Sequence, residues 1–318
     1  MRTPGSDSLN LIPIEDLDDP RLLPFANQRD QWLRARHRPH LTGESAHPVP
    51  ASEVTGTGLP GDLFIAEGDK VVAQLVASDH TTLSVMVSEH RLEHHLPFLE
   101  GLDGSVPVYT VARSVIDRVA GFNIHRGLLA CGQRKDQGTP ADLVQRSGLA
   151  VVLEDLTNHD NVGGIFRNVR ALAPANPPWK PDAAFPACVL LTPRCCDPLY
   201  RKALRVSMGN ALHVPFAFLD DWPGDGRTLS ASGCELLAMT PAHNSVDLGA
   251  LEPTPGRTPA VLMGTEGPGL ASETLEMVGE AGGRPVRIDI DDDADSLNVS
   301  VACALALHRL RACASNPR

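Results

Sequence analysis

Three polar clusters punctuate the second half of this 318-residue chain in a fixed order: Asn161-Val-Gly-Gly-Ile-Phe-Arg167, Gly264-Thr-Glu-Gly-Pro-Gly-Leu270 and Ser296-Leu-Asn-Val-Ser300. In the second, glycines stand directly behind an apolar run, so the backbone can turn sharply and approach a ligand without side-chain obstruction. The cluster is not a nucleotide fingerprint, because it has neither the Gly-Lys-Ser/Thr ending of a P-loop nor the Gly-x-Gly-x-x-Gly of a dinucleotide turn. Asn161 and Arg167 lie about one and two-thirds turns apart if a helix starts near Asn161. Arg167 then projects from it, where a lone arginine is normally a solvated charge or a salt-bridge partner. Ser296 is placed to cap a final apolar helix, with Asn298 just inside it. A calcium loop over Asp289 to Ser300 is excluded, since Ala294 stands where the sharp-turn glycine belongs and Ser300 where the bidentate glutamate belongs.

The elements that must position these clusters follow from periodicity. Apolar strands are predicted over 149–153, 187–191, 211–214, 234–239, 260–263 and 286–290, with helices over 162–172, 199–208, 272–278 and 299–311. Continuous apolar strands alternating with helices imply an α/β fold, a mainly parallel sheet covered on both faces. Ligands in such sheets bind in loops beyond the strands' carboxyl ends, where all three clusters fall. Upstream, strands at 63–66, 83–87 and 106–109 alternate with helices at 67–76 and 111–119, and 128–131 closes a small α/β domain. The pattern therefore divides the chain into a partly irregular extension (1–60, with one possible helix at 25–38), a small domain (61–134), a polar linker (135–148) and a larger domain (149–318).

Composition bounds the function. The formal charge of -11 counts against a protein that coats RNA indiscriminately through phosphate contacts, although a local basic patch remains compatible with RNA. No apolar run reaches the roughly 18–20 residues that span a bilayer, and the first residues carry no apolar signal segment, so a cytoplasmic protein is expected. Seven cysteines without zinc spacing read as reduced thiols.

In this order the three clusters resemble the signature motifs of the SpoU/TrmH family of RNA ribose 2′-O-methyltransferases, within the SPOUT superfamily. The resemblance implies a catalytic domain with a trefoil knot, S-adenosylmethionine as methyl donor, RNA (rRNA or tRNA) as substrate, and a homodimer. It implies that Arg167 faces the neighbouring protomer's cofactor and promotes loss of the ribose 2′-hydroxyl proton, with Asn161 helping orientation. A guanidinium is a poor proton acceptor in water, so fixing phosphate and stabilising alkoxide charge is an alternative role for it. By the same resemblance Gly264 borders the cofactor, Glu266 holds the active-site loops, Ser296 and Asn298 position the ribose or the arginine, and the Leu297 backbone contacts the cofactor. Thr240, Ile288 and Ile290 complete the cofactor site. The family's strand end usually reads Ile-Pro-Met, whereas here Asp289 and Ile290 follow Ile288.

The stretch from Gly121 to Gly127 resembles the tail of the L30e-like domain that many members carry, which implies an RNA contact at Arg126 beside His125; a polar turn is the plain alternative. Arg201, Lys202 and Arg205 lie in a segment resembling the family's link between the first two motifs and form a candidate phosphate patch or a solvated helical face. No metal is implied, because the sulfonium already makes the methyl electrophilic. Two other readings are an inactive RNA-binding or assembly factor on the same fold, and a different nucleotide-binding α/β enzyme.

Overall fold

The computed structural model describes residues 9–16, 18–25, 63–120, 127–242, 244–291, 293–294 and 296–315. The possible helix at 25–38, apart from Phe25, lies outside them. The chain forms two compact units, Met1–Asp136 with Leu199–His213, and Gln137–Pro198 with Val214–Arg318.

The first unit is built on β1 (Asn10–Ile14), β2 (Leu63–Glu67), β3 (Thr81–Ser88), β4 (Pro107–Val111) and β5 (Leu128–Gln133). The sheet order is β1-β4-β3-β5-β2, with β1, β4 and β3 parallel and β5 antiparallel to both β3 and β2. Helices α1 (Asp69–Val76), α2 (Leu92–His95) and α3 (Arg113–Ala120) accompany it. Strand β1 corrects the picture of an irregular extension. It is an edge strand, so Pro13 can sit in it without breaking an inner ladder, and its Ile14 joins Leu22, Phe25, Ile65 and Met86 in the core.

In the second unit α4 (Pro140–Arg146) occupies the stretch expected to be linker. Thr139 and Asp142 form a reciprocal capping box around Pro140, which lets a short helix start without a long apolar stripe. Strands β6 (Ala150–Leu153) and β7 (Cys188–Leu191) flank α5 (His159–Leu172), whose N-cap is Asn158. Helix α6 (Arg201–Val206) belongs to the first unit. There follow β8 (Phe216–Phe218), α7 (Gly224–Ala231), β9 (Cys234–Met239), β10 (Val246–Asp247), β11 (Thr258–Met263), α8 (Ser272–Glu280), β12 (Arg284–Arg287) and α9 (Val299–Ser315). All neighbours in this seven-stranded sheet, ordered β10-β12-β9-β11-β6-β7-β8, run parallel. Alternate residues Ala150, Val152, Leu236, Ala238, Ala260 and Leu262 pack with Leu143 of α4, Leu229 of α7 and Met277 of α8. The intervening residues point to the opposite face, where α5 packs on α9 and α9 on β11. This is the doubly covered parallel sheet that the continuous apolar runs implied.

Three expected elements differ. Residues 211–214 are not a strand: the chain makes a 3-10 turn at Asn210–Leu212, entered through Gly209 at φ 79°, and the strand comes later as β8. Predicted strand 286–290 ends at Arg287, where Asp289 interrupts the apolar run, so Ile288 and Ile290 lie in a loop. The helix expected over 199–208 shortens to α6 and clusters with the first unit. Its Ala203 and Leu204 are fully buried, α6 packs against β2, and a Cβ on Gly209 would lie 2.7 Å from Gln74 Cβ. No helix among the described residues is long and apolar enough to cross a membrane.

Candidate active site

The carboxyl ends of β9, β11 and β12 open onto one pocket of about 410 Å³, completed by the start of α9. Thr240, Gly264, Ile288, Ile290 and Leu297, expected from the sequence to hold a ligand, all line it, as do Glu266, Ser296 and Asn298. Its apolar walls also include Met239, Met263, Val286 and Ala302. Sequence reasoning missed these because each reads as an ordinary strand or helix residue; only their position at element ends sets them apart. A cavity of this size, apolar with a few convergent polar groups, suits a small molecule rather than a metal ion.

The glycine loop is tightly built. A Cβ on Gly264 would lie 2.2 Å from both the Gly269 carbonyl carbon and the Leu270 nitrogen, so no side chain fits there without moving backbone. Thr265 and Gly269 exchange backbone hydrogen bonds of 3.0 and 3.1 Å, and Gly267 and Gly269 take φ of 92° and 75°, a region that favours glycine. Beneath the loop stands Glu154, a carboxylate only 3% exposed. It accepts hydrogen bonds from Trp222 Nε1 at 2.6 Å, Ala271 N at 2.6 Å and Thr274 Oγ1 at 2.5 Å. These bonds pin the first turn of α8 to the end of β6, which fixes where the glycine loop ends. The sequence signal for Glu154 is an acidic residue directly after a buried strand, at a position where charge needs partners.

Two asparagines and a glutamate from the three clusters meet at the pocket. Asn161 Nδ2 donates to Glu266 Oε1 at 2.5 Å, and Asn298 Nδ2 donates to Asn161 Oδ1 at 2.9 Å and to Glu266 Oε1 at 3.3 Å. Asn298 Oδ1 meanwhile accepts from the Ser300 and Val301 backbone N–H groups at 2.9 and 3.3 Å. Asn298, not Ser296, therefore caps α9. Both residue types cap helices well, but only an asparagine presents an amide to Glu266 while its oxygen serves the helix. Ser296 is exposed on the pocket rim.

The same helix is held to α5 at close range. A Cβ on Gly164 would lie 2.5 Å from Ser300 Oγ, and Asn168 Nδ2 donates to Ser300 O at 2.8 Å and Oγ at 3.1 Å. Asn168, which the sequence reading passed over, thus ties the first cluster to the third. Arg167 is exposed and is not among the pocket-lining residues. Six positions after Asn161 it points roughly 120° away around the helix. At the end of β6, Asp155 accepts from Thr192 Oγ1 and pairs with Arg194. Burial pushes its carboxyl up, but the Arg194 and Thr192 hydrogen bonds outweigh this and hold it below its ordinary value.

Of the expected RNA contacts, Arg126 lies outside the described residues. Arg201 is half-buried, Lys202 and Arg205 are exposed, and Arg205 lies 3.7 Å from Glu67 within the first unit. Arg201, Lys202 and Arg205 belong to the first unit, whereas the pocket is built from the second.

Comparison with known proteins agrees with this geometry. An uncharacterized tRNA/rRNA methyltransferase of Mycobacterium tuberculosis strain H37Rv is 36% identical over 304 residues, 95% of this chain and 92% of its own. The 23S rRNA (guanosine-2'-O-)-methyltransferase RlmB of Vibrio cholerae is 27% identical, over 64% of this chain and 76% of its own. In fold, the chain is similar to the AdoMet-bound rRNA methyltransferase from Sinorhizobium meliloti, with TM-score 0.67 and 19% identity, covering 95% of this chain and 98% of that one. The SpoU methyltransferase AviRb from Streptomyces viridochromogenes, solved in complex with AdoMet, gives TM-score 0.63 at 17% identity over 90% of this chain and 98% of that one. The profile of the SpoU rRNA Methylase family matches residues 148–308, and this chain belongs to that family.

Proposed function

We propose that the protein transfers a methyl group from S-adenosylmethionine to a ribose 2′-hydroxyl of rRNA or tRNA, acting in the cytoplasm as a homodimer. The observation that carries this reading is the pocket beyond the parallel strands, in which residues of the second and third clusters form the lining and Asn161 of the first is hydrogen-bonded to Glu266 and Asn298. The residues fit the donor. Met239, Met263, Val286, Ile288 and Ile290 offer apolar walls to a flat base, and the glycine loop leaves room at Gly264 for close backbone approach. Thr240, Gly264, Ile288, Ile290 and Leu297 would hold it, and it supplies an electrophilic methyl on a sulfonium.

The chain's own residues supply position and charge. Glu266, Asn161 and Asn298 lock the glycine loop, α5 and the start of α9 into one hydrogen-bonded frame, so that the nucleophile is presented in a fixed line. Arg167 fixes the nucleotide phosphate and stabilises negative charge developing on the ribose oxygen. Its direction, turned away from the Asn161 frame, favours service to a second protomer's pocket. A second observation favours the dimer: Val301 and Leu305 of α9 are 49% and 41% exposed. Their four-residue spacing makes one apolar stripe, which a partner would cover. The trefoil knot, the L30e-like identity of the first unit and phosphate contacts from Arg201, Lys202 and Arg205 belong to the same proposal. The intact frame of Asn161, Glu266 and Asn298 favours catalysis over an inactive assembly factor.

Calorimetry distinguishes the donor from other nucleotides. S-adenosylhomocysteine is expected to bind one site per chain with little response to ATP; preference for ATP overturns the reading in favour of another nucleotide-binding enzyme. For the shared site, Arg167→Ala and Asn298→Ala chains are each expected to be inactive alone and to regain activity when mixed. No recovery despite confirmed chain exchange contradicts it.

A further inference from the structure

We propose that Asp69, His94 and His95 form a binding site for a divalent transition-metal ion of the zinc type, which clips the start of α1 to the end of α2. The three side chains offer one carboxylate oxygen and two imidazole nitrogens, all within 4.8 Å of one another. Asp69 Oδ1 lies 2.9 Å from His95 Nδ1, and Asp69 Oδ2 lies 3.7 Å from His94 Nε2. His95 is completely buried, the Asp69 side chain is 15% exposed and that of His94 is 56% exposed.

Three features single this cluster out. Asp69 Oδ1 is buried and makes no hydrogen bond even though His95 Nδ1 is close by. A buried acceptor in that state costs about 1–3 kcal/mol, and an ion is one of the few ways a folded protein compensates it. Next, Asp69 is not used as a helix cap, since the N-cap of α1 is Gly68 without a side-chain hydrogen bond; its carboxylate instead faces the two imidazoles. Finally, the exposed face of His94 leaves solvent access, so an ion can enter and keep water in its remaining position.

The donor set selects the ion. Imidazole nitrogens with one carboxylate suit zinc, with bond lengths of about 2.0–2.2 Å, whereas calcium and magnesium prefer all-oxygen shells. One donor atom from each of the three residues lies within 4.8 Å of the others, close enough for a single ion at those bond lengths to reach all three. His90, His94 and His95 also fall within six residues of sequence, a density of imidazole typical of metal-binding tracts. The ion lies within the first unit and takes no part in methyl transfer; it would fix the relative placement of α1 and α2 in that unit.

The test uses the full chain stripped of metal by chelator. Zn²⁺ alone is expected to raise the thermal unfolding midpoint where Mg²⁺ does not, and Co²⁺ to give the visible absorption of a site with nitrogen ligands. His94→Ala, a change at an exposed side chain, should weaken Zn²⁺ binding at least about tenfold, with Asp69→Asn doing the same. His308→Ala, at an exposed histidine of the other unit, should leave it unchanged. The proposal is overturned if Zn²⁺ produces no shift, or if wild type and His94→Ala bind Zn²⁺ equally well.

Discussion

Asn298 performs two tasks with two ends of one amide, and substitutions can separate them. Asn298→Ala removes the acceptor that caps α9, worth about 1 kcal/mol. It also removes the donor to Asn161 Oδ1 and Glu266 Oε1, worth about 0.5–1 kcal/mol per bond for groups at a pocket rim. A combined loss of about 2–3 kcal/mol lowers the unfolding midpoint by roughly 5–10 °C for a unit of this size. Asn298→Asp keeps the cap but places a second carboxylate opposite Glu266, a repulsion of about 1–2 kcal/mol after discounting for solvent. The Asp variant should therefore be destabilised at low ionic strength and recover part of the loss in high salt, which screens the repulsion. The Ala variant should show no such recovery. Urea unfolding at several salt concentrations checks both. Equal, salt-independent losses in the two variants would refute the division of tasks, and an Ala loss below about 0.5 kcal/mol would refute the frame itself.

Gly264→Ala drives a methyl into backbone at 2.2 Å; a loss of about 1–3 kcal/mol and of S-adenosylhomocysteine affinity is expected by calorimetry and urea melts, and near-wild-type values would contradict the cradle. Glu154→Gln turns an acceptor of three hydrogen bonds into a group that opposes one donor with another. Its expected cost of about 1.5–3 kcal/mol, read by denaturant unfolding, should come with weaker ligand binding because the end of the glycine loop is released. His80 is pushed down to about 4 by burial, aided by the nearby cations and only partly opposed by its Gln133 backbone contact. The unfolded chain then binds the extra proton first, so stability should be full above about 6.5 and fall by at most about 3 kcal/mol as pH drops to about 4. His80→Gln should flatten that slope while keeping an acceptor for the Lys135 N–H; an unchanged slope would assign the loss to other groups.

The polar frame was legible through the resemblance of the three clusters to the family's motifs, since taken alone these residue types indicated only a loop behind a strand, a helix cap or a solvated charge. Asn161, Glu266 and Asn298 were readable for that reason, and the three-dimensional fold brings them within hydrogen-bonding distance. The parallel sheet was equally legible, since β6 and β7 are apolar at every position and buried throughout. What escaped has local causes. Strand β1 carries Pro13 and is followed by an acidic stretch, so its pairing with β4 depends on a partner almost a hundred residues away. Helix α4 announces itself through a cap and not through a stripe. The choice of Asn298 over Ser296 as the cap of α9 was set by Glu266, a tertiary partner that local preference cannot see. Helix α6 groups with the first unit through Ala203 and Leu204, which in sequence look like the apolar face of any helix.

The central claim is tested most directly by the position of the transferred methyl. The purified full-length protein is incubated with S-adenosylmethionine labelled in its methyl group and with rRNA and tRNA from cells lacking the gene, and the RNA is digested to nucleosides for mass spectrometry. The account predicts label in a 2′-O-methyl nucleoside, abolished by Arg167→Ala while S-adenosylhomocysteine binding persists. Label on a base, or no label in any RNA from a protein that binds S-adenosylhomocysteine, would contradict it.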